Sequence, residues 1–151
     1  MRPELELLFE ASATLASPLE VGPTPAGLRR VVPITGGTFS GPRLSGVILA
    51  GGADWQYLRA DQALVVEAQY LLRTEDGVLI QVTNSGLRHG PEAVMQRLSA
   101  GEPVDPREYY FRAAPRFAAP SGRYDWLNRS LFLCVGAREA NAVRLWFYEV
   151  R

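Results

Sequence analysis

Apolar positions along this chain recur mostly at every second residue. Glu4-Leu5-Glu6-Leu7 alternates strictly, and Phe9, Ala11 and Ala13 continue one face. Residues 4–15 therefore read as a strand, because successive strand side chains point to opposite faces. The same reading predicts strands over 29–34, 44–50, 55–58, 64–74, 78–84, 109–114, 131–138 and 143–150. Pro18, Gly22, Pro23, Pro25 and Gly27 break regular structure. Gly36 to Pro42 reads as a glycine-rich connection, Ser85 to Gly90 as the end of a unit, and 115–128 as a loop with aromatic anchors. Glu75-Asp76-Gly77 signals a hairpin, since glycine tolerates positive φ.

Only residues 91–100 carry a persuasive helical period. Pro91 suits a first turn, Glu92 favours the positive end of the helix, and Val94, Met95 and Leu98 form one apolar stripe. Gly101 is a natural stop. Strands do not alternate with full helices, so a parallel α/β sheet is disfavoured. The expected fold is all-β: an antiparallel up-and-down β-barrel of about eight to ten strands with one short helix as a lid. Residues 1–151 are expected to form a single β-barrel domain. Closure removes exposed edges, and a barrel of about eight strands can enclose one small ligand.

The last strand is apolar on both faces: Val143, Leu145 and Phe147 on one, Trp146, Tyr148 and Val150 on the other. A lone barrel buries only one face, so the outer one is expected to meet the helix or a second subunit, giving a homodimer.

Composition narrows the partners. Sixteen basic residues, all arginine, balance sixteen acidic ones. Neutrality without a basic cluster argues against a nucleic-acid partner. No stretch approaches the roughly 20 apolar residues of a membrane helix, and glutamates interrupt the N-terminal apolar run, so a soluble cytoplasmic protein with no membrane partner is expected. Cys134 is the only cysteine, which excludes an intrachain disulfide. One histidine, His89, and one cysteine cannot build an ordinary zinc site, so no metal is expected. Neither GxGxxG nor GxSxG is present, and no cofactor is expected.

Several phrases occur in a distinctive order: Gly36-Gly37-Thr38-Phe39-Ser40-Gly41-Pro42, Gly51-Gly52-Ala53-Asp54-Trp55, Thr74-Glu75-Asp76-Gly77, Asn84-Ser85-Gly86, Tyr110-Phe111-Arg112 and Tyr124-Asp125-Trp126-Leu127-Asn128. Jointly, over essentially the whole chain, they resemble the domain-of-unknown-function family DUF3237, also called UPF0311. The resemblance implies a compact antiparallel barrel. Some fungal members look like cofactor-free isomerases of aromatic polyketide pathways, which makes that chemistry an implication of the resemblance alone. Many members carry a phrase resembling Asp-x-Arg-Tyr where this chain has Glu67-Ala68-Gln69-Tyr70. The acid is kept in type, while Gln69 replaces the arginine and any anion contact it makes.

Candidate chemistry sits on these segments. Asp54 is a possible base at a barrel rim, with Trp55 able to stack on a planar ligand; the alternative is a turn cap and a core aromatic. Glu67 and Gln69 share one strand face, which lines a cavity or faces water. Tyr110 and Arg112 share another and suit a phenolate, enolate or carboxylate, or else serve the core and a structural ion pair. Asn84 follows the hairpin, and Tyr124 and Trp126 are placed at a mouth. Asp54, Glu67, Tyr110 and Arg112 are thus the expected catalytic residues. Trp55, Gln69, Asn84, Tyr124 and Trp126 are the expected ligand contacts. Asp54, Glu67, Tyr110, Arg112 and Trp126 are expected to share one cluster. A structural pair between Glu67 and Arg112 is the competing account. Functionally, the chain reads as a small-molecule-binding barrel, either a cofactor-free proton-transfer enzyme on a small aromatic or enolisable compound, or a non-catalytic binding or interaction protein.

Overall fold

Ten strands and one α-helix make up the computed structural model, which describes residues 1–151. The strands are β1 (Leu5–Leu15), β2 (Leu19–Thr24), β3 (Gly27–Ser40), β4 (Ser45–Ile48), β5 (Gly52–Leu58), β6 (Leu64–Thr74), β7 (Leu79–His89), β8 (Tyr110–Ala118), β9 (Phe132–Arg138) and β10 (Ala142–Val150). All pairings between them are antiparallel. The path runs β1-β10-β9-β8-β7-β6, continues through β4 and β5 to β3, and closes where β3 pairs with β1. β4 and β5 share one position in the wall, lying end to end between β3 and β6. β2 is an extension that pairs only with β3. The result is a closed eight-stranded barrel with two extra strands and a single short helix.

Two stretches read as connections are strand. Residues 19–24 form β2 despite Gly22 and Pro23, because β2 lies at an edge, where proline's missing N–H breaks no ladder. β3 runs straight through Gly36 and Gly37. Gly37 has φ 140°, and a Cβ there would lie 2.1 Å from the Ser12 carbonyl oxygen. The glycine is a close approach of β1 to β3, not a turn. β7 and β8 also extend beyond their predicted ends, to His89 and through Pro115 to Ala118.

One half of the interior is filled. Phe9 packs against Phe39, Phe117 and Phe147 with ring centroids 5.1, 6.1 and 4.4 Å away, and Phe132 meets Phe117 edge-on at 4.9 Å. Leu72, Ile80, Val82, Leu127 and Cys134 complete this core. A 3-10 turn over Asp125–Arg129 covers that end, with Leu127 buried. Burial pushes the Cys134 thiol up to about 12, so it acts as a small hydrophobe.

The other half is lined by smaller side chains, among them Ala13, Val32, Val66, Ala68 and Ala113. They leave space where the phenylalanines fill it. Helix α1 (Glu92–Ser99) follows β7 at this end. Its Val94 and Leu98 pack with Leu64, Val66, Tyr109 and Phe111 in a second apolar cluster. Gly101, with φ 78°, terminates it.

Candidate functional site

Strand parity decides which polar groups enter the barrel. On β5, Asp54 and Gln56 face inward while Trp55, 48% exposed, faces out. On β7, Asn84 and Arg88 continue the inward face of Ile80 and Val82. Arg30 enters from β3 and Arg138 from the end of β9. These six side chains line a cavity of about 60 Å³, together with apolar groups that include Tyr70 and Phe111. Phe111 packs its ring over Gly136, where a Cβ would lie 2.8 Å from the ring. A wider groove of about 740 Å³ lies between the β2–β3 hairpin and α1. Arg30 and Arg88 line both spaces and so mark the throat between them.

A hydrogen-bond chain organises one wall. Arg30 Nε donates to Gln56 Oε1 at 2.6 Å, and Gln56 Nε2 donates to Asp54 Oδ2 at 2.6 Å. The Glu67 backbone N–H donates to Asp54 Oδ1 at 2.9 Å. Burial raises the Asp54 carboxyl above the usual carboxylate value, against the opposing pull of these donors and of Arg88 and Arg30.

The β7 side of the cavity, two strands from β5, is less satisfied. Arg88 is only 7% exposed, and its Nε has no hydrogen-bond partner. Burial, with Arg30 and Arg138 nearby, lowers its guanidinium to about 10. Asn84 Oδ1 is likewise buried and unpartnered. Arg138 Nη1 donates to the Ala142 carbonyl at 3.0 Å, and its backbone N–H donates to Tyr109 Oη at 2.9 Å. Three guanidiniums thus share the cavity with one carboxylate. No group of three His, Cys, Asp or Glu side chains is placed to hold a metal ion.

The expected cluster is divided by the barrel wall. Asp54 and Asn84 lie inside. Glu67 and Gln69 face solvent, because Val66, Ala68 and Tyr70 take the inward positions of β6. Tyr110, 45% exposed, and Arg112 lie on the outer face of β8, where Tyr110 stacks on His89 at 4.9 Å and Arg112 lies 5.4 Å from its ring. Glu67 and Arg112 form no ion pair and stand on strands separated by β7. Tyr124 and Trp126 are at the filled end. Tyr124 Oη donates to Asp76 at 2.7 Å, and Trp126 lies under Arg43 at 3.8 Å.

The residues that sequence reasoning left out of the site are Arg30, Gln56, Arg88 and Arg138. The sequence carries a signal for one of them, Arg88. Ile80, Val82, Asn84 and Arg88 share one parity, so polar groups at the end of an apolar face mark the point where a core opens into a cavity.

Comparison with known proteins agrees with this architecture. The profile of the family described as "Protein of unknown function (DUF3237)" matches residues 3–150. A UPF0311 protein of Rhodopseudomonas palustris is 39% identical over 152 residues, 99% of each chain. The crystal structure of a conserved protein of unknown function from the same species superposes with a TM-score of 0.94 at 36% identity, covering 100% of this chain and 99% of that one. A hydroalkoxylation enzyme of Penicillium herquei is 34% identical over 83 residues, 55% of each chain. A crystal structure of an enzyme from that fungus matches with a TM-score of 0.75 at 25% identity, covering 100% of this chain and 96% of that one. With the family profile spanning nearly its whole length and UPF0311 relatives aligned end to end, the chain belongs to the DUF3237 family.

Proposed function

We propose that the half-filled barrel binds a small organic molecule in its interior and transfers a proton on it without a cofactor, with Asp54 as the acid–base group. One observation carries this reading. Asp54 is the single carboxylate in a cavity otherwise lined by apolar side chains, the buried Tyr70, amides and guanidiniums, and burial shifts its carboxyl toward neutrality. A carboxyl tuned in this way exchanges a proton with a carbon acid more readily than a solvated one. In the proposed step, Asp54 takes a proton from the carbon next to a carbonyl, in a ketone or in the keto tautomer of a phenol, the electron pair moves onto the carbonyl oxygen, and the nearby guanidiniums stabilise that oxyanion. The proton then returns to a second carbon or to the same one. Addition of an O–H group across a carbon–carbon double bond, the type of reaction named for the fungal relative, shares only the second half of this step, delivery of a proton to carbon; its proton comes from oxygen.

A barrel that only binds is the second reading. It is favoured by the fact that both Asp54 oxygens already accept hydrogen bonds. The two separate by deuterium exchange in D2O, followed by NMR on a panel of enolisable ketones and phenols. Under the proposal the protein accelerates exchange at one position of at least one compound, and Asp54→Asn removes about a hundredfold or more of that acceleration. Exchange at the buffer rate for every compound, or an Asp54→Asn rate equal to wild type, would leave binding alone.

Self-association as a homodimer belongs to the same proposal. On the outer wall, Leu7 pairs with Tyr148 and Tyr148 with Leu133, forming an apolar row next to Val150. Sedimentation at micromolar concentration checks it: a dimer is expected, and a monomer throughout would remove it.

A further inference from the structure

We infer that the interior site takes an organic carboxylate bearing a hydroxyl group, with the carboxylate on Arg88 at the throat and the hydroxyl donating to Asn84 Oδ1. The inference rests on the proposed interior site and adds the class of molecule it holds.

Three observations lead there. First, Arg88 is a buried cation without a hydrogen-bond partner, and it points into a shared throat rather than into a core. A buried guanidinium is retained only where something pairs with it. Arg30 has Gln56 and Arg138 has the Ala142 carbonyl. Asp54 is occupied by Gln56 and the Glu67 backbone, and it makes no ion pair with Arg88. Within the chain the Arg88 guanidinium has only the Phe111 ring, 5.6 Å away, so its hydrogen-bond partner comes from outside the chain.

Second, the charges are unequal. Arg30, Arg88 and Arg138 face a single carboxylate, so the side chains of the site carry a positive surplus even with Asp54 ionised. An anion relieves it, and a planar carboxylate matches the planar fork of a guanidinium. Third, Asn84 Oδ1 is an acceptor with no donor. Asn84 lies four residues from Arg88 on the same inward face of β7, deeper in the barrel. A ligand that answers both groups must present an acceptor at the throat and a donor further in. The surface between them, including Val66, Ala68 and Phe111, is apolar and suits a flat hydrocarbon body.

The probes are 4-hydroxybenzoate and its neutral counterpart 4-hydroxybenzamide, titrated calorimetrically into the full chain. Wild type is expected to bind the carboxylate at least about tenfold more tightly than the amide, in line with a charge-assisted bond to a buried group. Arg88→Met should remove that preference and leave amide affinity within about threefold. Arg88→Lys, which keeps the charge but loses the fork, should restore only part of it. Asn84→Leu should weaken 4-hydroxybenzoate more than benzoate. Far-UV circular dichroism on each variant shows that the barrel is intact. The inference is overturned if wild type binds both probes equally, binds neither, or loses both equally in Arg88→Met. Failure here stays separable from failure of proton transfer. Carboxylate preference with no Asp54-dependent exchange keeps the ligand class and removes the chemistry. Asp54-dependent exchange on neutral ketones, with 4-hydroxybenzoate bound no more tightly than 4-hydroxybenzamide, does the reverse.

Discussion

Asn84 and Arg88, four residues apart on β7, carry the two buried side-chain atoms of this molecule that lack a hydrogen-bond partner, Oδ1 and Nε. Each such atom costs about 1–3 kcal/mol relative to a satisfied one. Both lie on the cavity wall, and the filled half of the barrel has neither. The unsatisfied polarity is concentrated where a ligand can answer it.

Replacing Arg88 should stabilise the empty protein. Its pKa is lowered to about 10, first by burial and then by Arg30 and Arg138. With the folded value below the ordinary 12.5, the cation disfavours the native state at all lower pH, and the penalty fades only as pH rises through this window. At pH 7 Arg88→Met should therefore raise the thermal midpoint, by roughly 5 °C for a gain of about 2 kcal/mol. Scanning calorimetry without ligand checks it, and a lower midpoint would contradict it.

The pH dependence of turnover follows from Asp54. As a base it must be ionised, and burial raises its pKa above 3.8. Activity should therefore fall on acidification along a limb centred above that value. Arg30→Gln, which takes away a nearby cation and the donor to Gln56, should move the limb to higher pH. A pH–rate profile that is flat down to 3.8, or an unmoved limb in the variant, would remove Asp54 from this role.

Stability at the filled end should titrate independently of the site. Asp76 is held down to about 2, first by the hydrogen bond from Thr74 and then by that from Tyr124. A depressed carboxylate contributes stability that is fully present above 3.8 and is lost as pH falls toward 2. Asp76→Asn should lower the thermal midpoint at neutral pH, by an amount that shrinks through this window. Probe affinity should be unchanged. Equal midpoints at neutral pH would show that the network contributes nothing.

Gly136 sets the position of one cavity wall. A Cβ there would meet the Phe111 ring at 2.8 Å, so Gly136→Ala must push that ring toward the cavity. A loss of about 1–3 kcal/mol in stability is expected from overpacking, with weaker binding of the probe. Denaturant unfolding and titration measure the two effects. Unchanged binding would place Phe111 outside the ligand's reach.

The barrel was legible in the chain because alternation marks each long strand, and 64–74 matches β6 residue for residue. Its closure was less so. Gly36 and Gly37 look like a turn in isolation, and only the Ser12 backbone behind Gly37 makes them strand. The site was half legible. Asp54, expected as a base at a rim, and Asn84, expected as a ligand contact, both line the cavity, whereas Glu67, Tyr110 and Arg112, expected in one cluster with Asp54, lie on the outer wall. Parity within a strand says which residues share a face; it does not say which face is inside. On β6 the apolar set Leu64, Val66, Tyr70 and Leu72 takes the interior and turns Glu67 outward. Arg138 at the end of β9 reaches the cavity only through barrel closure, which no local pattern encodes.

The most direct measurement is a crystal structure of the protein soaked in 4-hydroxybenzoate. The predicted result is density inside the barrel, with the carboxylate on Arg88, the hydroxyl at Asn84 Oδ1 and the ring beside Phe111, within reach of Asp54. Density on the outer wall at His89, Tyr110 and Arg112, or an interior left empty by a probe shown to bind in solution, would contradict it.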